Sequence, residues 1–117
     1  MKYAIFGTGR VGASMGRYLE SLGHAIHRIA RSDTEDASYV RDAIAASDVV
    51  ALAVPDGAIA DLRARWRDAI GERPAVHFSG ALVLDGVSGF HPLYSFPTTP
   101  LDPNEMRRIP FAVSDRG

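Results

Sequence analysis

The hexapeptide GTGRVG sets Gly7, Gly9 and Gly12 at the spacing G-x-G-x-x-G, and Gly16 follows four positions later. Glycine loses more backbone entropy on folding than any other residue, so such a cluster answers a steric demand. Before it, Tyr3 to Phe6 form an apolar run; after it, Val11, Met15, Tyr18, Leu19 and Leu22 recur at helical spacing until Gly23 supplies a stop. A strand that turns on glycine directly into a helix offers free amides and the positive end of the helix dipole to an anion. In that setting Gly7 permits the tight turn, Gly9 lets a pyrophosphate approach the backbone, and Gly12 brings the helix close to the sheet. The predicted chemistry is dinucleotide binding, with Gly7, Thr8, Gly9, Arg10, Val11 and Gly12 around the pyrophosphate.

The next discriminating position closes the second apolar burst, HAIHRIARSD. An NAD-selective site usually carries there an acid that accepts the adenosine ribose hydroxyls. Ala30 stands in that place, and Arg31 and Ser32 offer a guanidinium and a hydroxyl to a 2′-phosphate. NADP is therefore the expected cofactor, with NAD as the alternative. Asp33 would take the acid role if the strand ran further; as the residue before a short helix it reads as an N-cap. In LAVPDGAI the chain leaves a third strand through Val54 and Pro55, expected beside the cofactor, and Asp56 reads as another N-cap. Ser79 and His91, in HFSGAL and GFHPLYSF, fall at the ends of the fourth and fifth strands. Singly, each is an ordinary turn or loop residue. Together they form a hydroxyl and imidazole pair facing the nicotinamide half, fit to orient substrate or relay a proton. His27 and His77 lie inside strands and read as face or core residues, and His24 as part of a helix end.

These residues need positioning elements. Strands are expected at 2–6, 25–30, 49–54, 75–78, 87–90 and 109–113. Helices are expected after the glycine turn, through Tyr39, Val40, Ala43 and Ile44, and from Asp56 onward. The last of these buries Ile59, Leu62, Trp66, Ala69 and Ile70 and leaves Arg63, Arg65 and Arg67 solvated. HPLYSFPTTPLDPNEMRR reads as a crossing loop with one helical turn at 104–107. The alternation predicts one α/β domain spanning 1–117, a doubly wound, mainly parallel six-stranded Rossmann-type sheet of order 3-2-1-4-5-6.

Composition narrows the function. The 117 residues contain no cysteine, which excludes disulfides, thiolate metal sites and cysteine nucleophiles, and no metal is expected. Thirteen basic and 14 acidic residues leave a formal net charge of −1, which argues against a nucleic-acid or membrane-surface partner. No apolar stretch approaches the about 20 residues of a membrane span, and a cytoplasmic location is expected.

The glycine turn with Arg31 and Ser32, together with LAVPDGAI, HFSGAL and GFHPLYSF, resembles the Rossmann-like N-terminal domain of oxidoreductases related to pyrroline-5-carboxylate reductase, ketopantoate reductase and 6-phosphogluconate dehydrogenase. The nearest branch is one in which that domain precedes a helical domain of unknown function. A more distant likeness is to prephenate dehydrogenase, which carries a comparable histidine-proline step and uses it for substrate. The resemblance implies NADP-dependent hydride transfer to or from a small carbonyl, hydroxyl or imine substrate. A deazaflavin cofactor and a non-catalytic nucleotide-binding or regulatory module stay open as alternatives. In such proteins a C-terminal helical domain closes the crevice and forms the dimer. A chain that stops at Gly117 is accordingly expected either to be a domain cut from a longer protein or a stand-alone module, associating with a second copy or with the missing helical domain.

Overall fold

The computed structural model describes residues 1–114. Its sheet is arranged by how completely each strand can be buried. The run VVAL forms β3 (Val49–Leu52), buried at every position, and takes an interior place. AIHRI forms β2 (Ala25–Ile29), where exposed and covered residues alternate, and takes an edge. With β1 (Lys2–Phe6), β4 (Ala75–His77), β5 (Ser88–Pro92) and β6 (Phe111–Ser114) they form one six-stranded sheet of order β2-β1-β3-β4-β5-β6. All neighbours are parallel except β6, which runs antiparallel to β5.

The α/β, doubly wound, mainly parallel architecture is as expected, but the strand order 3-2-1-4-5-6 is not: β3 lies beside β1, not outside β2. The cause is where the chain is delivered. After β2, a 3-10 turn (Arg31–Glu35) and the short α2 (Ala37–Ala45) return it to the start of β1. There Asp48 N–H donates to Lys2 O at 2.7 Å, and Lys2 N–H donates to the Asp48 carboxylate at 2.8 Å. From that point β3 gains cover on both edges, which a place beyond β2 would deny its four buried side chains. The winding reverses between β1 and β3, which makes the carboxyl ends of those strands the switch point.

Helices cover both faces. On one, α2 with α3 (Asp56–Arg65) and α4 (Arg67–Ile70) buries Val40, Ile44, Ile59, Trp66 and Ile70 against Ala4, Phe6, Val50 and Leu52. The helix expected to run through to Ile70 breaks at Trp66, whose ring stacks on Phe6 with centroids 6.5 Å apart. On the other face lie α1 (Arg10–Ser21) and α5 (Pro103–Met106). The crossing loop is not a mere surface connection: Phe96, Leu101 and Met106 are buried against Val11, Met15 and Tyr18 of α1. Leu101 N–H donates to the buried Ser14 Oγ at 3.1 Å, and Arg17 Nη1 donates to Pro100 O at 3.2 Å.

Three local expectations are corrected. Asp36, not Asp33, caps α2, accepting from Tyr39 N–H at 3.1 Å. Pro55 holds the N-cap position of α3, and Asp56 is the helix's first residue. His91 lies within β5 because the antiparallel ladder to β6 continues through His91 and Pro92 after pairing with β4 has stopped at Gly89. No helix among the described residues is long and apolar enough to cross a membrane.

Ser14→Ala leaves the Leu101 N–H buried without a partner. The expected cost is about 1–3 kcal/mol, read as a lower urea midpoint at unchanged slope.

Candidate functional site

The backbone at the end of β1 leaves no room for a side chain. Gly7 has φ +108, and a Cβ there would lie 2.0 Å from Ala53 O at the end of β3. Gly12 answers a similar constraint from the helix side, where a Cβ would stand 3.1 Å from Ala53 Cβ and 3.2 Å from Arg28 Nη2. Gly9 is different. Its φ of −75 and ψ of −174 suit any residue, and a Cβ would meet nothing within 4 Å. Neither backbone nor packing explains a glycine there; its missing side chain enlarges an open cradle. As N-cap of α1 it provides no side-chain cap, so the first amides of the helix keep their capacity for an external acceptor.

Around this cradle a cleft of about 800 Å3 runs along the carboxyl ends of β2, β1, β3 and β4, a volume that suits a small molecule or cofactor. Gly7, Thr8, Gly9, Arg10, Val11, Arg31, Val54, Pro55 and Ser79 all line it. Of the other sequence-derived candidates, Gly12 is buried behind the turn, Ser32 is exposed on the 3-10 turn, and His91 packs beside Gly80; none of the three forms part of the cleft wall. The Asp33 carboxylate is committed to Ala30 N–H at 2.8 Å and does not line the cleft.

Ser79 and His91 occupy adjacent strand ends but do different jobs. The buried Ser79 Oγ accepts from Ala81 N–H at 3.3 Å and Leu82 N–H at 3.1 Å, closing the turn after β4, while its own O–H remains a donor. His91 Nδ1 lies 3.3 Å from Phe78 O, an arrangement that requires a proton on Nδ1 and leaves Nε2 an acceptor. His77 is buried, as expected for a core histidine. Ser79 N–H donates to its Nδ1 at 3.1 Å, so neutral His77 carries its proton on Nε2, which has no hydrogen-bond partner. That burial pushes its pKa below the ordinary histidine value, against a weaker upward pull from Asp56.

Arg28 belongs to the same machinery and was not singled out from the sequence. Its Nε donates to Gly7 O at 3.0 Å, and Nη2 donates to the same oxygen. Gly12 clears the path for its side chain, whereas a Cβ on Gly16 would make only an ordinary contact, 3.8 Å from Arg28 Cδ. A charged residue at a covered position of the second strand was the available signal. Partial burial lowers the guanidinium's pKa from its ordinary value, with Glu20 opposing, and the cation lies against the glycine turn. Arg65 and Thr34 also line the cleft, which corrects the expectation that Arg65 is merely solvated.

The arrangement defines a Rossmann-like α/β domain with an open glycine-lined cleft at its switch point. No protein-family model and no curated protein sequence matches the chain. Among solved structures, Synechocystis arogenate dehydrogenase superposes with a TM-score of 0.63 at 18% identity, covering 79% of this chain and 41% of that one. A putative prephenate dehydrogenase from Corynebacterium glutamicum gives 0.61 at 23% identity, covering 79% of this chain and 37% of its own. At these identities the likeness establishes the fold, and the chain spans well under half the length of either protein.

Two outcomes follow from this geometry. Gly9→Val should fold normally, with an unchanged circular dichroism spectrum and urea midpoint, because its side chain enters the open cradle without meeting the protein. For His77, the unfolded chain takes up a proton near pH 6.5 that the native state resists. Stability should therefore be flat above about pH 7 and fall as pH drops through that value, with a smaller fall in His77→Gln; urea midpoints from pH 8 to 5.5 measure both.

Proposed function

We propose that this chain is the NADP-binding domain of an oxidoreductase that moves hydride to or from a small carbonyl, hydroxyl or imine group. The observation that carries this reading is Gly9: a glycine required by no backbone angle and no neighbour, at an uncapped helix start, opening onto the switch-point cleft. Bound, the nicotinamide supplies the hydride chemistry. The chain's own residues do the rest. Gly7 to Val11 receive the pyrophosphate, with Arg28 holding the turn from below; Val54 and Pro55 flank the ribose side; Arg31 reaches the 2′-phosphate. The NADP preference is supported by Arg31 on the cleft wall and by an Asp33 carboxylate already spent on Ala30 N–H. The two structural neighbours are named as dehydrogenases, which agrees in kind with hydride transfer. Ser79, with its hydroxyl proton free at the β4 end of the cleft, is placed to orient substrate, and His91 to accept a proton through Nε2. Exposed Val83, Leu93, Tyr94 and Val113 provide apolar surface for a second copy or a helical domain.

A non-catalytic nucleotide-binding module is the second reading, favoured by one observation: His91 does not form part of the cleft wall that Ser79 does. Turnover tests the first. NADPH oxidation with small keto acids, aldehydes and imines, abolished by His91→Ala, establishes the enzyme; tight binding without turnover is the outcome expected both of the module and of an oxidoreductase domain parted from its helical domain.

The cofactor assignment is tested by calorimetry. Charge-assisted hydrogen bonds contribute about 1.5–3 kcal/mol each, so Arg31→Ala should weaken NADPH roughly tenfold or more and leave NADH nearly unchanged. Equal losses for the two would refute it.

A further inference from the structure

We infer that Arg65 is a second residue selecting the adenosine 2′-phosphate, acting with Arg31 from the opposite bank of the cleft. The inference rests on the cofactor reading above and deepens it. Arg65 ends α3, an element that follows β3, whereas Arg31 opens the 3-10 turn that follows β2, yet both line the same cleft. Because β2 and β3 flank β1, the two elements overhang the glycine turn from either side.

The guanidinium is already held in place. Arg65 Nη2 donates to Thr34 O at 2.7 Å, and Thr34 Oγ1 donates to Arg31 O at 2.6 Å, so Thr34 ties the Arg65 guanidinium to the turn that carries Arg31. Beneath it, Arg65 Cζ lies 4.9 Å from the centre of the buried Trp66 ring. A guanidinium carries five N–H donors in a rigid plane, and this network uses one, leaving the others for a phosphate. Preorganisation of this kind lowers the entropy lost on binding. Ser32, the other sequence-derived partner for the phosphate, does not line the cleft. Asp56 and Asp61 of α3 also line the cleft, so its wall carries three guanidiniums, those of Arg10, Arg31 and Arg65, against two carboxylates.

The test compares NADPH, NADH, 2′,5′-ADP and 5′-AMP by calorimetry on wild type, Arg65→Gln and Arg65→Lys. Arg65→Gln should weaken NADPH and 2′,5′-ADP roughly tenfold and leave NADH and 5′-AMP within about twofold, with Arg65→Lys intermediate. Equal losses across all four would show that Arg65 only braces the 3-10 turn, and an unchanged NADPH affinity would show no role; either overturns the inference alone. Failure of wild type to bind any of the four would overturn the cofactor reading and this inference with it.

Discussion

The carbonyl of Ala53 comes so close to Gly7 that no Cβ fits between them, and most of the site follows from that approach. Parallel pairing of β1 with β3 brings the two strand ends together, with Phe6 opposite Leu52, and the next residue of each must pass its neighbour. The chain escapes at φ +108, which points the Gly7 carbonyl back toward β2, where Arg28 donates to it twice. The same turn aims α1 outward from the sheet with its first amides uncommitted. A half-buried cation thus secures the turn on the protein side while the opposite side stays open. Replacing Arg28 with an uncharged side chain would loosen the cradle's geometry before it touched any ligand contact.

Strand order and cleft position are consequences of one another. An order with β3 beyond β2 would have placed the reversal between β1 and β4. With β3 beside β1, the reversal falls where the glycine turn already lies, and the elements following β2 and β3 become its two banks. This is why Thr34 and Arg65, 31 residues apart in sequence, meet at 2.7 Å.

The glycine turn, β1 and α1 were legible because their cause is local: a backbone angle, a short apolar run and a helical period. The full burial of β3 was equally visible in VVAL and implies an interior place. The alternation of β2 was not, because in AIHRI the exposed Ala25 is apolar and the covered Arg28 is charged. Arg28 and Arg65 were not legible as site residues, since each acts through a partner more than 20 positions away. The segment from Leu93 to Leu101 was identified correctly as irregular backbone. Its burial was not foreseen, because proline-rich composition reports local conformation and says nothing about what Phe96 and Leu101 will find beneath them.

The bond from Leu101 N–H to Ser14 Oγ spans 87 residues and ties the crossing loop to α1. As the chain leaves the ribosome, the layer formed by α2, α3 and α4 can assemble from residues up to Val87, all of which precede Leu101. Helix α1 is made well before its cover, since Phe96, Leu101 and Met106 must arrive before Val11, Met15 and Tyr18 can pack against them. Closing so long a loop is slow relative to local contacts. The nascent chain therefore carries an apolar helix face until the residue 87 positions beyond Ser14 has been made, and the helix that opens onto the cleft gains its cover only then.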